Sequence, residues 1–481
     1  MNVFLLLVSL LSSSWGLEQR IFVKDTIHQE MDPPETMSLS RSNVMINWIE
    51  MPLDHFDPQN TATFNMRYMF NEEHFGGAGS PIFIMAGGEW TITTNMLMEG
   101  NMYYMAVENK GYLIYTEHRY YGQTIPFTDF TANNLRFLNI DQALADLAYF
   151  IKYLKKQPRF ANSKIIMYGG SYAANMVMWF KQRYPHLVLG VVASSGPINA
   201  KIDFAGYLEV VHEAFLLEGG EQCIDIIRQG IQDTVEALET EAGRRTIEES
   251  YRLCNGTFDF DNRLDLGYFA GMITWTFSGR VQYAVPGSLL TICNNFRNNV
   301  YGTTPMMQIG GFVALFQNLN NNSCWNIKFD NMVANYMRPT NSRAWYYQTC
   351  TEYGYFQIAP NSGTVFDPLK WLDVEFYVEV CKRGYDERFD EAFAYAAADR
   401  VNLIFGALSP EVKNTINIHG YIDPWRALGV YERDLHVTSP TYTVPRASHC
   451  FDISAWRVTD TIQMTAVQQR ARSIVASWLN S

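Results

Sequence analysis

Lys164-Ile165-Ile166-Met167-Tyr168-Gly169-Gly170-Ser171-Tyr172-Ala173 is the stretch on which the fold turns. Residues 164–168 form a short, mostly apolar run, which reads as a buried strand. Residues 172–183 carry an amphipathic pattern and read as a helix. Only a very sharp turn joins a strand to a helix across so few residues. Such a turn needs small residues two before and two after its central serine, where a side chain would clash. Gly169 and Ala173 meet that need, with alanine in place of the more usual glycine. The turn lifts the Ser171 hydroxyl above the sheet, and the helix N-terminus behind it favours negative charge.

Working outward, the same alternation spans residues 64–197. Residues 81–86 and 111–116 are apolar, strand-like runs, the first ending at Gly87-Gly88. Residues 141–157 place Leu144, Leu147, Ile151 and Leu154 on one helical face, with Asp141 near the positive end. Residues 187–193 add another strand. The pattern predicts a parallel sheet covered by helices on both faces. From about residue 200 to 345 it gives way to helical stretches, cysteines and sequons, and strand signals resume at 414–418 and 439–444. Residues 459–479 read as a closing helix. The predicted fold class is α/β, an α/β-hydrolase core with an inserted helical, disulfide-bonded cap domain. The expected division is a signal peptide over 1–16, core over 17–199, cap over 200–345 and core again over 346–481.

The first sixteen residues hold an apolar stretch, Phe4 to Leu11, of leader length and too short for a membrane anchor. A net charge of −12 with no basic run argues against nucleic acid and anionic membrane as partners. No membrane span is expected. Of seven cysteines none forms a CxxC or a cysteine–histidine cluster, so zinc is not expected, nor any other metal or cofactor. A leader implies an oxidising compartment, secreted or lysosomal, where structural disulfides are the default and Cys450 is the odd thiol. Asn255 and Asn321 each open an acceptor sequon and are candidate glycan sites.

A serine hydroxyl attacks only when a base takes its proton and an acid orients that base. On this fold the acid and then the histidine follow the serine in sequence. His419, His436 and His449 lie in the returning part of the core. His449 follows a strand-like segment by a short loop. Asp423 follows the strand ending at Ile418 and opens Asp423-Pro424-Trp425, where proline stiffens the loop. The plain alternatives are a solvated His436, a turn residue at His419 beside Gly420, and Asp452 capping local backbone. For an oxyanion hole the N–H of Tyr172 is one candidate donor. The loop Gly87-Gly88-Glu89-Trp90, with Gly88 at its tip, supplies the other, unless it is an ordinary glycine turn.

Several ordered motifs then resemble a known group. They are Leu53-Asp54-His55-Phe56, Gly87-Gly88-Glu89, Glu117-His118-Arg119-Tyr120-Tyr121-Gly122 and Asp141-Gln142-Ala143-Leu144-Ala145-Asp146-Leu147. Gly169-Gly170-Ser171-Tyr172, Tyr347-Gln348-Thr349-Cys350-Thr351-Glu352, Asp423-Pro424-Trp425 and Ser448-His449-Cys450 complete the set. Through nearly its whole length the chain resembles the serine carboxypeptidase family of lysosomal Pro-Xaa carboxypeptidase, quiescent-cell proline dipeptidase and thymus-specific serine protease. The third branch is the most similar. The resemblance implies a serine peptidase with Ser171 as nucleophile, Asp423 as acid and His449 as base. It implies peptide substrates cut near proline, a substrate pocket drawing on Glu89, Trp90, Asn175, Tyr346, Glu352 and Trp425, and disulfides Cys223–Cys293, Cys254–Cys324 and Cys350–Cys381.

Two departures stand out against the family pattern. The dipeptidase branch has an acidic residue where this chain has Tyr346, and the carboxypeptidase branch has a basic residue past its histidine, where residues 450–454 have none. Asn175 is polar where an apolar wall would suit proline, which weakens the case for a strict proline preference. A lipase or esterase on the same fold, or a non-catalytic binding protein on a hydrolase scaffold, are the competing readings. Oligomeric state is not legible, with a homodimer left open.

Overall fold

The computed structural model describes residues 43–316 and 323–481, so the expected leader and Asn321 lie outside the described residues. In chain order the strands are β1 (Met45–Pro52), β2 (Thr63–Asn71), β3 (Ile82–Ala86), β4 (Tyr112–Thr116) and β5 (Ile165–Gly170). They continue with β6 (Gly190–Ser194), β7 (Lys201–Asp203), β8 (Gly354–Phe356), β9 (Thr415–Gly420) and β10 (Thr441–Val444). Eight of them form one sheet in the order β1-β2-β4-β3-β5-β6-β9-β10, while β7 and β8 pair separately.

From β4 through β3, β5, β6 and β9 to β10 all neighbours are parallel. Strands β3, β5, β6 and β9 are buried along their whole length. That is why they read as unbroken apolar runs, since helices cover both faces. The sheet is not wholly parallel, however: β1–β2 and β2–β4 are antiparallel. The short connection over residues 53–62 accounts for the first pair, since it can join only antiparallel neighbours.

The helix expected over 141–157 runs Ile140–Lys155. Asn139 starts it by accepting the Gln142 N–H at 3.0 Å, and Lys152 and Lys155 sit at its negative end. The closing helix is Ile462–Asn480, capped by Thr461 on the Met464 N–H at 3.1 Å.

Between β6 and β9 the chain leaves the main sheet for a series of helices that begins with Gly206–Gly219 and ends with Glu391–Phe405. The boundary expected at 345/346 falls inside the helix Asn341–Gln348. Two further helices, Val374–Gly384 and Glu391–Phe405, precede the return to the sheet. Cys223–Cys293 ties helix Glu221–Ala237 to Ser288–Arg297, and Cys254–Cys324 closes a second loop in the same region. Cys350–Cys381 fastens the turn Thr349–Tyr353 to helix Val374–Gly384. Each loop closure is worth about 2–4 kcal/mol. A Cβ at Gly219 would lie 2.1 Å from Cys293 Sγ, so the first bridge requires glycine there. Among the described residues no helix is long and apolar enough to cross a membrane.

Candidate active site

Strand β5 delivers Ser171 to the carboxyl edge of the parallel strands, where open α/β sheets bind ligands. Ser171 has φ 55° and ψ −130°, a strained conformation for a residue with a side chain. Its N–H donates to Ser194 O at 2.9 Å, and the helix Tyr172–Arg183 starts at the next residue. A Cβ on Gly169 would meet Ala173 O at 2.2 Å, so the turn closes only over glycine at that point. The alanine at 173 is tolerated in a fully buried position.

Asp423 and His449 come from the loops after β9 and β10. Asp423 caps the turn Pro424–Leu428, accepting the Trp425 N–H at 3.0 Å through Oδ1. Both its carboxylate oxygens face His449 Nδ1, at 3.0 and 2.9 Å. The side chains are 0% and 1% exposed. Burial alone would push the His449 imidazole down, but Asp423, and then Cys450, hold it well above the usual histidine range. Its Nε2 is buried and makes no hydrogen bond among the described residues. The histidine loop and the serine turn meet at the end of β6. Cys450 N–H donates to Ser195 Oγ at 2.9 Å, while Ser194 O accepts the Ser171 N–H.

The other histidines take no part in this arrangement. His419 is not in a turn but within β9, because that strand runs two residues beyond Ile418. Its burial pushes the imidazole down to about 4. His436 hydrogen-bonds Thr438 at 3.0 Å in an exposed loop.

Gly87 N–H is spent on Thr116 O at 2.8 Å, and a Cβ at Gly87 would lie 2.3 Å from that same oxygen. A Cβ at Gly88 would meet the Trp90 ring at 2.5 Å. Trp90 is a core residue, donating from Nε1 to Tyr115 Oη at 2.7 Å. Trp425 packs 6.3 Å from His449, 5.2 Å from Tyr207 and 5.4 Å from Tyr355, ring centre to ring centre. Asn175 is fully buried, and its Nδ2 donates to Pro197 O and Tyr355 Oη, both at 3.1 Å. Tyr346 packs on Tyr336 at 4.7 Å. Glu352 accepts the Ile140 N–H at 2.9 and 3.1 Å, and burial pushes its carboxyl up to about 7. It lines a cavity of about 350 Å³ with Phe56, Arg136, Tyr347, Phe389 and Arg400, whose lining includes neither Ser171 nor His449. Asn255 is exposed, as a glycan acceptor must be.

Two sets of residues escaped the sequence reading. Gln282, at the end of helix Arg263–Gln282, accepts the His449 N–H on its backbone oxygen at 3.0 Å and the Trp425 indole N–H on its side chain at 3.1 Å. No local pattern marks it. Around Tyr172, the hydroxyl contacts Gln348 Nε2 at 3.0 Å, His118 Nε2 at 3.2 Å and Tyr353 Oη at 3.2 Å. Here the Tyr347-Gln348 and Glu117-His118 motifs were the signal, without a role attached. Burial, and then charges that include Glu352 and Glu89, raise the Tyr172 hydroxyl far out of its usual range.

The family described as "Serine carboxypeptidase S28" matches residues 51–471. The thymus-specific serine protease of Mus musculus is 27% identical over 504 residues, covering 99% of this chain and 97% of that protein. The lysosomal Pro-X carboxypeptidase of Bos taurus is 27% identical over 455 residues, covering 90% of this chain and 88% of that protein. A match over so much of the chain, with the same reaction type named in both relatives, leads to one conclusion. The chain belongs to the serine carboxypeptidase S28 family and is a serine-type peptidase.

Proposed function

We propose that the protein is an exopeptidase for short peptides that acts through Ser171, His449 and Asp423. The observation that carries this is the buried Asp423–His449 pair, with its free Nε2, on loops beside the strained Ser171 turn. In this reading His449 Nε2 takes the Ser171 hydroxyl proton as Oγ attacks the peptide carbonyl. The imidazolium is stabilised by Asp423 and then protonates the leaving amine. The N–H groups of Tyr172 and of the Gly88 loop receive the oxyanion. Water releases the acyl group by the same path in reverse. Ser171→Ala is expected to abolish phosphonate labelling and peptide turnover; a folded Ser171→Ala protein that cleaves at the original rate overturns the reading.

Trp425, with Tyr207 and Tyr355 around it, would form the apolar wall for the residue before the scissile bond. The buried amide of Asn175 behind Tyr355 argues for a relaxed proline preference. No acidic residue stands at 346 and no basic one at 450–454, so neither peptide terminus has a counter-charge there. A charged terminus desolvated without a partner loses binding. Weak end discrimination follows, with the helical insertion limiting substrates by size. The competing reading is a dedicated anchor for one terminus elsewhere in the site. Acetylating the amine or amidating the carboxylate of a proline-containing peptide separates the two. A loss above about a hundredfold from one modification shows a dedicated anchor.

Three disulfides and the expected leader support residence along the secretory route, secreted or lysosomal.

A further inference from the structure

We propose that Asp452 is a positioning residue, a clasp that holds the His449 loop in register with the Ser171 turn through Ser194 and Tyr168. The inference rests on the reading above, in which Ser171 and His449 are the reacting pair. Asp452 sits on the turn Phe451–Ile453, three residues after His449, and is 2% exposed. Its carboxylate reaches past its own loop. Oδ1 accepts from Ser194 Oγ at 2.5 Å and Oδ2 from Tyr168 Oη at 3.0 Å.

Both partners belong to the elements that fix Ser171. Tyr168 lies three residues before it on β5, and Ser194 ends β6, where its carbonyl accepts the Ser171 N–H at 2.9 Å. On the other side, the Asp452 carbonyl accepts from Gln468 Nε2 of the closing helix at 2.9 Å. One residue thus joins the histidine loop, the two strands under the nucleophile and the last helix. The hydrogen bonds that position His449 itself, to the Asp423 carboxylate and to the Gln282 carbonyl, do not link it to β5. Asp452 makes that link.

Neither hydrogen-bond partner of the carboxylate carries a positive charge. The titratable groups that face it are Tyr168 from β5 and, within its own loop, His449 and Cys450. On the closing helix, Arg472 bonds Asn101 Oδ1 instead, at 3.3 Å. Burial, opposed by the bonds from Ser194 and Tyr168, pushes the Asp452 carboxyl up to about 6. Burial therefore keeps the carboxyl protonated to a higher pH than an exposed aspartate, and ionisation above that pH is opposed by burial and favoured by the two hydroxyls and by His449.

The test compares Asp452→Ala and Asp452→Asn with wild type, measuring kcat and KM on one chromogenic peptide across pH, together with phosphonate labelling rate and melting temperature. Asparagine keeps an acceptor for one hydroxyl and cannot ionise. A small misplacement of reacting groups costs up to about a hundredfold in rate, so Asp452→Ala is expected to lower kcat by about 10–100-fold with KM within about threefold. Asp452→Asn is expected to restore most of that loss and to remove the inflection in kcat near pH 6. Asp452→Ala with kcat within about threefold of wild type overturns the proposal. So does a loss in Asp452→Ala that asparagine does not rescue.

If the alanine variant does not fold, Tyr168→Phe removes one arm alone. A severalfold lower kcat at constant KM is then expected, and wild-type kcat refutes the clasp. Ser171→Ala distinguishes the levels: turnover in that variant sinks the underlying reading. A dead Ser171→Ala beside an unaffected Asp452→Ala sinks only the clasp.

Discussion

Asp423→Asn separates geometry from chemistry at the centre of the proposed mechanism. Asp423 plays two parts: it caps the turn Pro424–Leu428 through the Trp425 N–H, and it faces His449 Nδ1 with both oxygens. Asparagine caps as well as aspartate, so the turn itself should lose less than about 1 kcal/mol, while the pairing that raises His449 is lost and lowers stability most at acid pH. The second part cannot survive, because an amide neither stabilises the imidazolium nor selects the tautomer that leaves Nε2 free to accept the Ser171 proton. In triads of this type the loss is about ten-thousandfold in kcat, or about 5.4 kcal/mol of barrier.

The pH dependence should move in a defined direction. Burial pushes the His449 imidazole down and Asp423 more than reverses it. Removing the carboxylate charge leaves burial dominant, so the imidazole titrates lower and the acid limb of residual kcat/KM moves to lower pH. The assay is steady-state hydrolysis of a chromogenic peptide from pH 4 to 8, with melting temperature and active-site phosphonate labelling as controls. A folded Asp423→Asn enzyme with kcat within about tenfold of wild type, beside an inactive Ser171→Ala, would refute the assignment of Asp423 as the orienting acid.

Gly169→Ala is expected to yield little folded protein, since its Cβ would lie 2.2 Å from Ala173 O in the turn that no neighbour can relieve; soluble expression and a normal melting curve would contradict this. Glu352→Gln tests a buried carboxyl raised from 4.5 to about 7. A raised pKa stabilises the fold fully below 4.5 and loses that contribution as pH rises through 7, so the variant should flatten the decline of melting temperature over that window. An unchanged slope would show that Glu352 does not titrate there. Non-reducing mass mapping should find Cys223–Cys293, Cys254–Cys324 and Cys350–Cys381 with Cys450 as a free, buried thiol, and any disulfide to Cys450 would contradict the structure.

Much of the core was legible because its signals are local. An apolar run that ends at Gly169-Gly170-Ser171 is a strand meeting a tight turn, whatever surrounds it, since the nearest atoms to a Cβ at 169 all belong to Ala173 and Ala174. The helix 172–183 and the Asn139 cap of its predecessor follow from neighbours within four residues. Other features needed partners far along the chain. The antiparallel edge depends on β1, Met45–Pro52, which lay outside the alternation over 64–197. His419 looked like a turn residue because Gly420 follows it, yet pairing of β9 with β10 carries the strand through both. The boundary expected at 345/346 falls inside the helix Asn341–Gln348, and the helices Val374–Gly384 and Glu391–Phe405 that follow carry no local mark of which unit they join.

By itself the sequence determined the α/β class and the serine turn, because sterics and hydrophobic periodicity act over a few residues, and it offered Asp423 and His449 as candidate acid and base. The tertiary structure alone decided what holds those groups together. Gln282 reaches Trp425 across 143 residues, and Asp452 reaches Ser194 across 258 and Tyr168 across 284. A glutamine at the end of a helix and an aspartate in a loop have no distinguishing local pattern. Their partners are set only when the insertion packs over the sheet and the histidine loop folds down beside β5 and β6, and that packing is a property of the whole chain.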